Sequence, residues 1–65
     1  MFDGVIIGFD ATTGHGLIRH DDSMSVWPFL GADCGGLPTP GRDVQFQVAP
    51  RQFGNVVAMA AINIQ

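Results

Sequence analysis

Residues 4–22, GVIIGFDATTGHGLIRHDD, hold two apolar runs separated by residues of turn chemistry. The run before the turn, FDGVIIGF (2–9), is short and rich in β-branched residues, which suits a strand. DATTG (10–14) combines Asp, Thr and Gly, which bond their own backbone or accept a positive φ. HGLIRH (15–20) reads as a second strand, with Leu17 and Arg19 on one face and Gly16, Ile18 and His20 on the other. DDS (21–23) reverses the chain into a third strand, MSVWPFL (24–30). Pro28 has no N–H to give a ladder, so it belongs on an edge, at a bulge or where the strand ends.

The second half continues in the same style. GADCGGLPTPGR (31–42) is a long loop, and DVQFQVA (43–49) alternates cleanly, with Val44, Phe46 and Val48 inward and Gln45 and Gln47 outward. PRQFG (50–54) reads as a turn. NVVAMAAINI (55–64) is divided by composition: Ala and Met favour helix, Val and Ile favour strand. Four strands precede it and a fifth closes an otherwise open edge, so it is read as a strand. The expectation is an all-β fold, a five-stranded antiparallel Greek-key barrel of the OB type. Its strands fall near 2–10, 15–20, 24–30, 43–49 and 54–63, around a core of Ile6, Ile18, Val44, Phe46 and Val48. Residues 1–65 form one domain with no repeat, linker or low-complexity tract.

Size and charge narrow the function. A chain of 65 residues buries only about 60% of its unfolded surface and has little room for a deep catalytic pocket. Nothing at the N-terminus pairs a basic region with an apolar core, and no run of about 20 apolar residues is present, so neither a signal peptide nor a membrane span is expected. The single cysteine, Cys34, cannot close an internal disulfide, which suits a reducing, cytoplasmic location. Six acidic residues, all aspartate, stand against Arg19, Arg42 and Arg51, with no lysine, for a net charge of -3. A nucleic-acid binder ordinarily carries a basic patch, and three arginines make a thin one.

The order and spacing of these segments resemble the bacterial cold-shock domain proteins over nearly the whole chain. That family opens with G-x-V-K-W-F-N, continues with K-G-F-G-F-I and V-F-V-H-F, and later carries E-G-Q-x-V-x-F. The corresponding places here read GVIIGFD (4–10), TGHGLI (13–18), VWPF (26–29) and PGRDVQF (40–46). Gly4, Ile6, Gly14, Gly16, Ile18, Gly41, Val44 and Phe46 agree with the family's fold positions. The ligand-facing positions agree much less. The lysine and tryptophan of the opening motif are Ile7 and Gly8, the second motif's lysine is Thr13, its phenylalanines are His15 and Leu17, and the third motif's histidine is Pro28.

The resemblance implies single-stranded RNA or DNA as the ligand, held by an aromatic platform in which each stacked base contributes about 1–3 kcal/mol. The residues placed on that platform are Phe9, His15, Leu17, Trp27, Phe29, Arg51 and Phe53. Each has a plainer reading. Phe9 and Phe29 can simply fill the core. His15 can stack on a base or be a polar strand residue at the surface. Trp27 falls at a core valine position in one alignment and at a stacking phenylalanine in the other; an indole overpacks a small core, which favours the exposed placement. Phe53 and Arg51 stand near a family arginine and form a substitute patch. Arg19 and Arg42 read as solvated charges.

Other chemistries fit worse. GHG lacks the third glycine, the lysine and the helix of a phosphate loop. His15, His20, Asp21 and Asp22 include metal-ligand types, but the two histidines point to opposite faces of a regular strand. No nucleophile–base arrangement is assignable, so no enzyme, metal or cofactor is expected. Two functions remain. One is a weak single-stranded nucleic-acid binder of pyrimidine-rich strands, in the manner of an RNA chaperone or transcription antiterminator. The other is a protein-interaction or self-associating module, a homodimer or a complex with a protein partner, through a face that includes Ile7 and Leu17.

Overall fold

The computed structural model describes all residues, 1–65, and every regular element but one short turn of 3-10 helix is a strand. The strands are β1 (Phe2–Asp10), β2 (His15–His20), β3 (Val26–Leu30), β4 (Asp43–Phe53) and β5 (Val56–Ile62). Their order in the sheet is β1-β2-β3-β5-β4, and β4 also pairs with β1, so the single sheet closes on itself in a barrel-like form. No helix is long and apolar enough to cross a membrane.

The sheet is mixed, which corrects the all-antiparallel expectation. β3 and β5 meet in parallel, bridged at Phe29 and Ala61. The reason is arithmetic. Strand directions must alternate around an antiparallel ring, and five strands cannot alternate all the way round, so one neighbouring pair has to be parallel. The loop 31–42 makes this possible by carrying the chain from β3 past the place β5 will occupy, to β4.

Turn chemistry sets the boundaries. In the first turn the backbone N–H of Thr12 donates to the Asp10 carboxylate at 2.8 Å, and Gly14 takes a φ of 75°. β3 begins at Val26 rather than at Met24, because Met24 has a φ of 60° and cannot continue an extended strand. The expected turn over 50–54 is instead strand. β4 runs on to Phe53, and the reversal is the two-residue turn Gly54–Asn55, with Gly54 at φ 64° and Asn55 outside the positive-φ region. Gly at the first turn position with only that residue at positive φ is the II′ pattern, whose twist matches the flanking strands.

Both prolines within strands, Pro28 and Pro50, are accommodated by pairing geometry. In a two-residue hairpin the flanking pair, Phe53 and Val56, exchanges both backbone bonds, and every second pair does the same. Pro50 lies opposite Met59 in an intervening pair, so its nitrogen faces away from β5, toward a side where β1 has already ended at Phe2. Pro28 lies within β3, whose far edge is bridged only at Phe29.

The core holds Ile6, Ile18, Phe29, Val44, Phe46, Ala60, Ala61 and Ile64. Val48, expected there, is only half-buried. Ile64 instead closes the bottom, where its backbone pairs with the loop: Ile64 N–H donates to Asp33 O at 2.9 Å and Gly35 N–H donates to Ile64 O at 2.7 Å. Two glycines are demanded by close approach. A Cβ on Gly4 would lie 2.6 Å from the Arg19 carbonyl oxygen, and one on Gly16 would lie 2.3 Å from the Phe29 ring. Gly16→Ala is therefore expected to destabilise the protein by about 1–3 kcal/mol through overpacking. Urea unfolding checks this; a variant as stable as the parent would show that Phe29 yields freely.

Candidate nucleic-acid interface

A bulge in β1 builds the candidate site. Ile6 pairs with Ile18, but Gly8 rather than Ile7 pairs with Leu17, leaving Ile7 as the extra residue. Such a bulge re-aims everything after it. Gly8 takes the outward place opposite Leu17, and Phe9 turns inward opposite the buried Gly16. There Phe9 stacks on Phe29, with ring centroids 6.0 Å apart and an interplanar angle of 22°. Phe9 is half-buried, so one part of its ring reaches the surface.

The outward side then reads as rows across β1, β2 and β3. Gly8, Leu17 and Pro28 form one row, and Asp10, His15 and Leu30 the next. Phe53, at the end of β4, approaches His15 edge-on, with centroids 5.2 Å apart. Together these side chains line a shallow groove of about 480 Å³, bounded by Gly8, Phe9, Asp10, His15, Gly16, Leu17, Pro28 and Phe53. Four residues expected at a ligand surface, Phe9, His15, Leu17 and Phe53, are thus brought together. Leu17 is 45% exposed and Ile7, beside it in the bulge, 43%. A Cβ on Gly8 would meet nothing within 4 Å, so the groove floor is open at that point.

The other three lie elsewhere, and these are corrections. Phe29 is fully buried; the space left by Gly16 draws its ring into the core, where no ligand can reach it. Trp27 pairs with the inward-facing Ile18, so it too points inward. The barrel avoids overpacking because the indole stops at the margin of the core, half-buried in a smaller pocket with Phe2, His20 and Ser23. Arg51 is not a groove residue. Its Nε donates to Asp33 at 3.1 Å, in the chain's one salt bridge, and its Nη1 donates to the Pro50 carbonyl.

The remaining arginines add little positive charge here. Arg42 donates to the Leu37 carbonyl at 2.8 Å and lies 3.6 Å from Cys34 Sγ, tying the loop 31–42 together. Arg19 shares the outward side of β2 with His15 and Leu17, in a row with Val5 and Val26, and its buried Nε has no partner. The groove itself contains one carboxylate, Asp10, and no lysine or arginine. Its surface suits a flat or apolar group; it is poorly equipped to hold a phosphate. Sequence reasoning missed Asp10 and Gly16 as lining residues; the resemblance put Gly8 and Pro28 at ligand-facing positions but did not count them among the binding residues. The bulge, which has no signature in the sequence, sets the facing of Gly8, Phe9 and Asp10, whereas the two-residue alternation through 15, 17 and 19 already placed the β2 side chains correctly.

Compared with family models, with curated proteins and with solved structures, the chain matches none.

The placement of Trp27 has a direct readout. Because it sits in the Phe2–His20 pocket, adding an oligonucleotide should leave its fluorescence unchanged. Strong quenching on titration would put the ligand on the Phe2 side and not in the groove.

Proposed function

We propose that the chain is a weak single-stranded RNA- or DNA-binding protein of the cold-shock type, a Greek-key barrel of the OB class that holds bases in the groove over β2 and β3. The observation that carries this reading is the convergence of Phe9, His15, Leu17 and Phe53 on one groove. OB barrels bind oligonucleotides on the strand 2–3 face between the first and last hairpin loops. Here the groove uses β2 and β3, with Asp10 and His15 flanking the first loop and Phe53 flanking the last. This is support by fold-level likeness, added to the motif resemblance.

Binding in this groove rests on stacking. Bases lie against Phe53, His15 and the exposed part of Phe9, over a floor of Leu17 and Pro28. With two arginines engaged in the protein's own contacts and none in the groove, few phosphates are neutralised. The second reading, a protein-interaction or self-associating module, is favoured by one specific observation: Ile7 and Leu17 are exposed side by side where a polyanion would call for charge.

Titration with labelled pyrimidine-rich oligonucleotides at low and moderate salt tests the proposal. Each phosphate contact on a single strand contributes a slope of about -0.7 in log K against log salt, so a weak complex with a shallow slope is expected. No measurable binding at low salt would leave the protein-interaction reading. A tight complex with a steep slope would show a cationic surface that the groove lacks.

Two variants sharpen the test. Gly8→Phe places a ring over open space on the groove floor and should tighten binding by about 1–3 kcal/mol, the range for one stacked base. Ile7→Lys with Leu17→Lys should strengthen oligonucleotide binding and abolish any association through that face. If neither variant changes binding, the groove is not the contact surface.

A further inference from the structure

Backbone accounting leaves the first part of one seam unpaired, on the side of β5 that meets β3. The pairs Phe53–Val56, Arg51–Ala58 and Ala49–Ala60 are those that exchange bonds between β4 and β5, because they follow from the two-residue turn at Gly54–Asn55. Val57, Met59 and Ala61 alternate with them and point their N–H and C=O groups away from β4. β3 takes up this edge at Ala61 alone, through its bridge to Phe29. Val57 and Met59 are left facing outward, without a strand partner, and their side chains are 67% and 48% exposed.

The two margins of the hairpin are treated differently. On β4, Pro50 presents a nitrogen without a proton to the open side, a common guard against edge pairing. β5 has no such guard. Residues 52–65, QFGNVVAMAAINIQ, contain neither a proline nor a charged side chain. In a chain of net charge -3, this is the long stretch that a second copy can approach without meeting like charge.

We propose that β5 is a self-pairing edge, and that two copies of this chain join antiparallel through Val56–Ala60 about a twofold axis at Ala58. That register sets Val57 of each copy against Met59 of the other. These are the residues whose backbone groups are free, so both pairs exchange their bonds and the ladder is complete without moving β4. The pairing is isologous, as a twofold dimer requires. It uses a different surface from the groove and does not depend on what the groove binds. A short edge contact falls below the size of a standard interface, so the dimer is weak, with a dissociation constant on the order of 100 µM.

Sedimentation equilibrium from about 10 µM to 1 mM, together with amide exchange of the full chain, tests this. The expected result is a monomer–dimer equilibrium in which the Val57 and Met59 amides slow at high concentration while the Ala58 amide, already bonded to β4, does not change. Met59→Pro removes an outward N–H without touching a β4 bond, and should weaken association at least about tenfold. Three results would overturn the proposal: a parent that stays monomeric to 1 mM, protection that appears equally at Ala58, or association that survives Met59→Pro and is lost in Leu17→Lys. The exchange measurement on the parent decides the matter even if the proline variant folds poorly. A heterologous extended peptide that protects Val57 and Met59 while the parent alone remains monomeric also counts against self-pairing.

Discussion

Phe29 lies beneath Gly16, in space that any side chain at position 16 would occupy, and much of the molecule follows from that contact. With Phe46, it is one of the two largest apolar side chains placed wholly inside the sheet. Its position on β3 is held by pairing with Gly16 on one side and by the single bridge to Ala61 on the other. Its upper face receives Phe9, which the β1 bulge turns inward. One glycine, one bulge and two phenylalanines thus join the core to the surface: the same stack that fills the interior presents the edge of Phe9 to the groove. Close-packed interiors leave few alternatives to such an arrangement.

The electrostatics of this surface differ from those of an ordinary polyanion site. Arg51 is turned to Asp33, Arg42 is consumed in holding a loop, and Asp10 at the groove rim is engaged by the Thr12 amide. Two of the three arginines thus serve the chain's own architecture, and the third, Arg19, lies outside the groove. What lines the groove itself is aromatic and apolar surface: Phe9, His15 and Phe53 around Leu17 and Pro28. Such a surface offers shape and stacking rather than charge, and contacts of that kind are little screened by salt.

Much of this was legible in the amino-acid order, for reasons that differ along the chain. β1 and β2 were recoverable at their observed bounds because Gly, Asp and Thr punctuate two apolar runs and because alternation through 15–20 is unbroken. Ile6, Ile18, Val44 and Phe46 were recognisable as core from the same alternation. The bulge was not legible: it inserts Ile7 without any signature residue and so reverses the facing of Gly8 and Phe9. Trp27 was misplaced because its facing depends on register against Ile18, a long-range fact that composition does not carry. Arg51 looked available because nothing local reveals that the loop brings Asp33 against it. PRQFG looked like a turn because Pro and Gly usually stop strands; here the proline nitrogen faces an empty side, and only the final glycine turns the chain. Strand parallelism between β3 and β5 follows from closure itself and has no local signal at all.

The five strands also divide into two pieces wired by short turns, the meander of β1, β2 and β3 and the hairpin of β4 and β5, joined through residues 31–42. The interior is shared between them: Ile6, Ile18 and Phe29 come from the first piece, Val44, Phe46, Ala60, Ala61 and Ile64 from the second. Neither piece has a second layer to bury its apolar face against until both seams, β1 with β4 and β3 with β5, have closed. Half of this molecule is therefore not a smaller stable version of it, and its unfolding should be all-or-none despite the modular wiring. The joining segment is no slack tether: Asp33 and Gly35 bond to Ile64, Arg51 pairs with Asp33, and Arg42 reaches back to the Leu37 carbonyl. The link between the two pieces is thus itself part of the structure, and sequence inserted into it would have to leave those bonds in place for both seams to close.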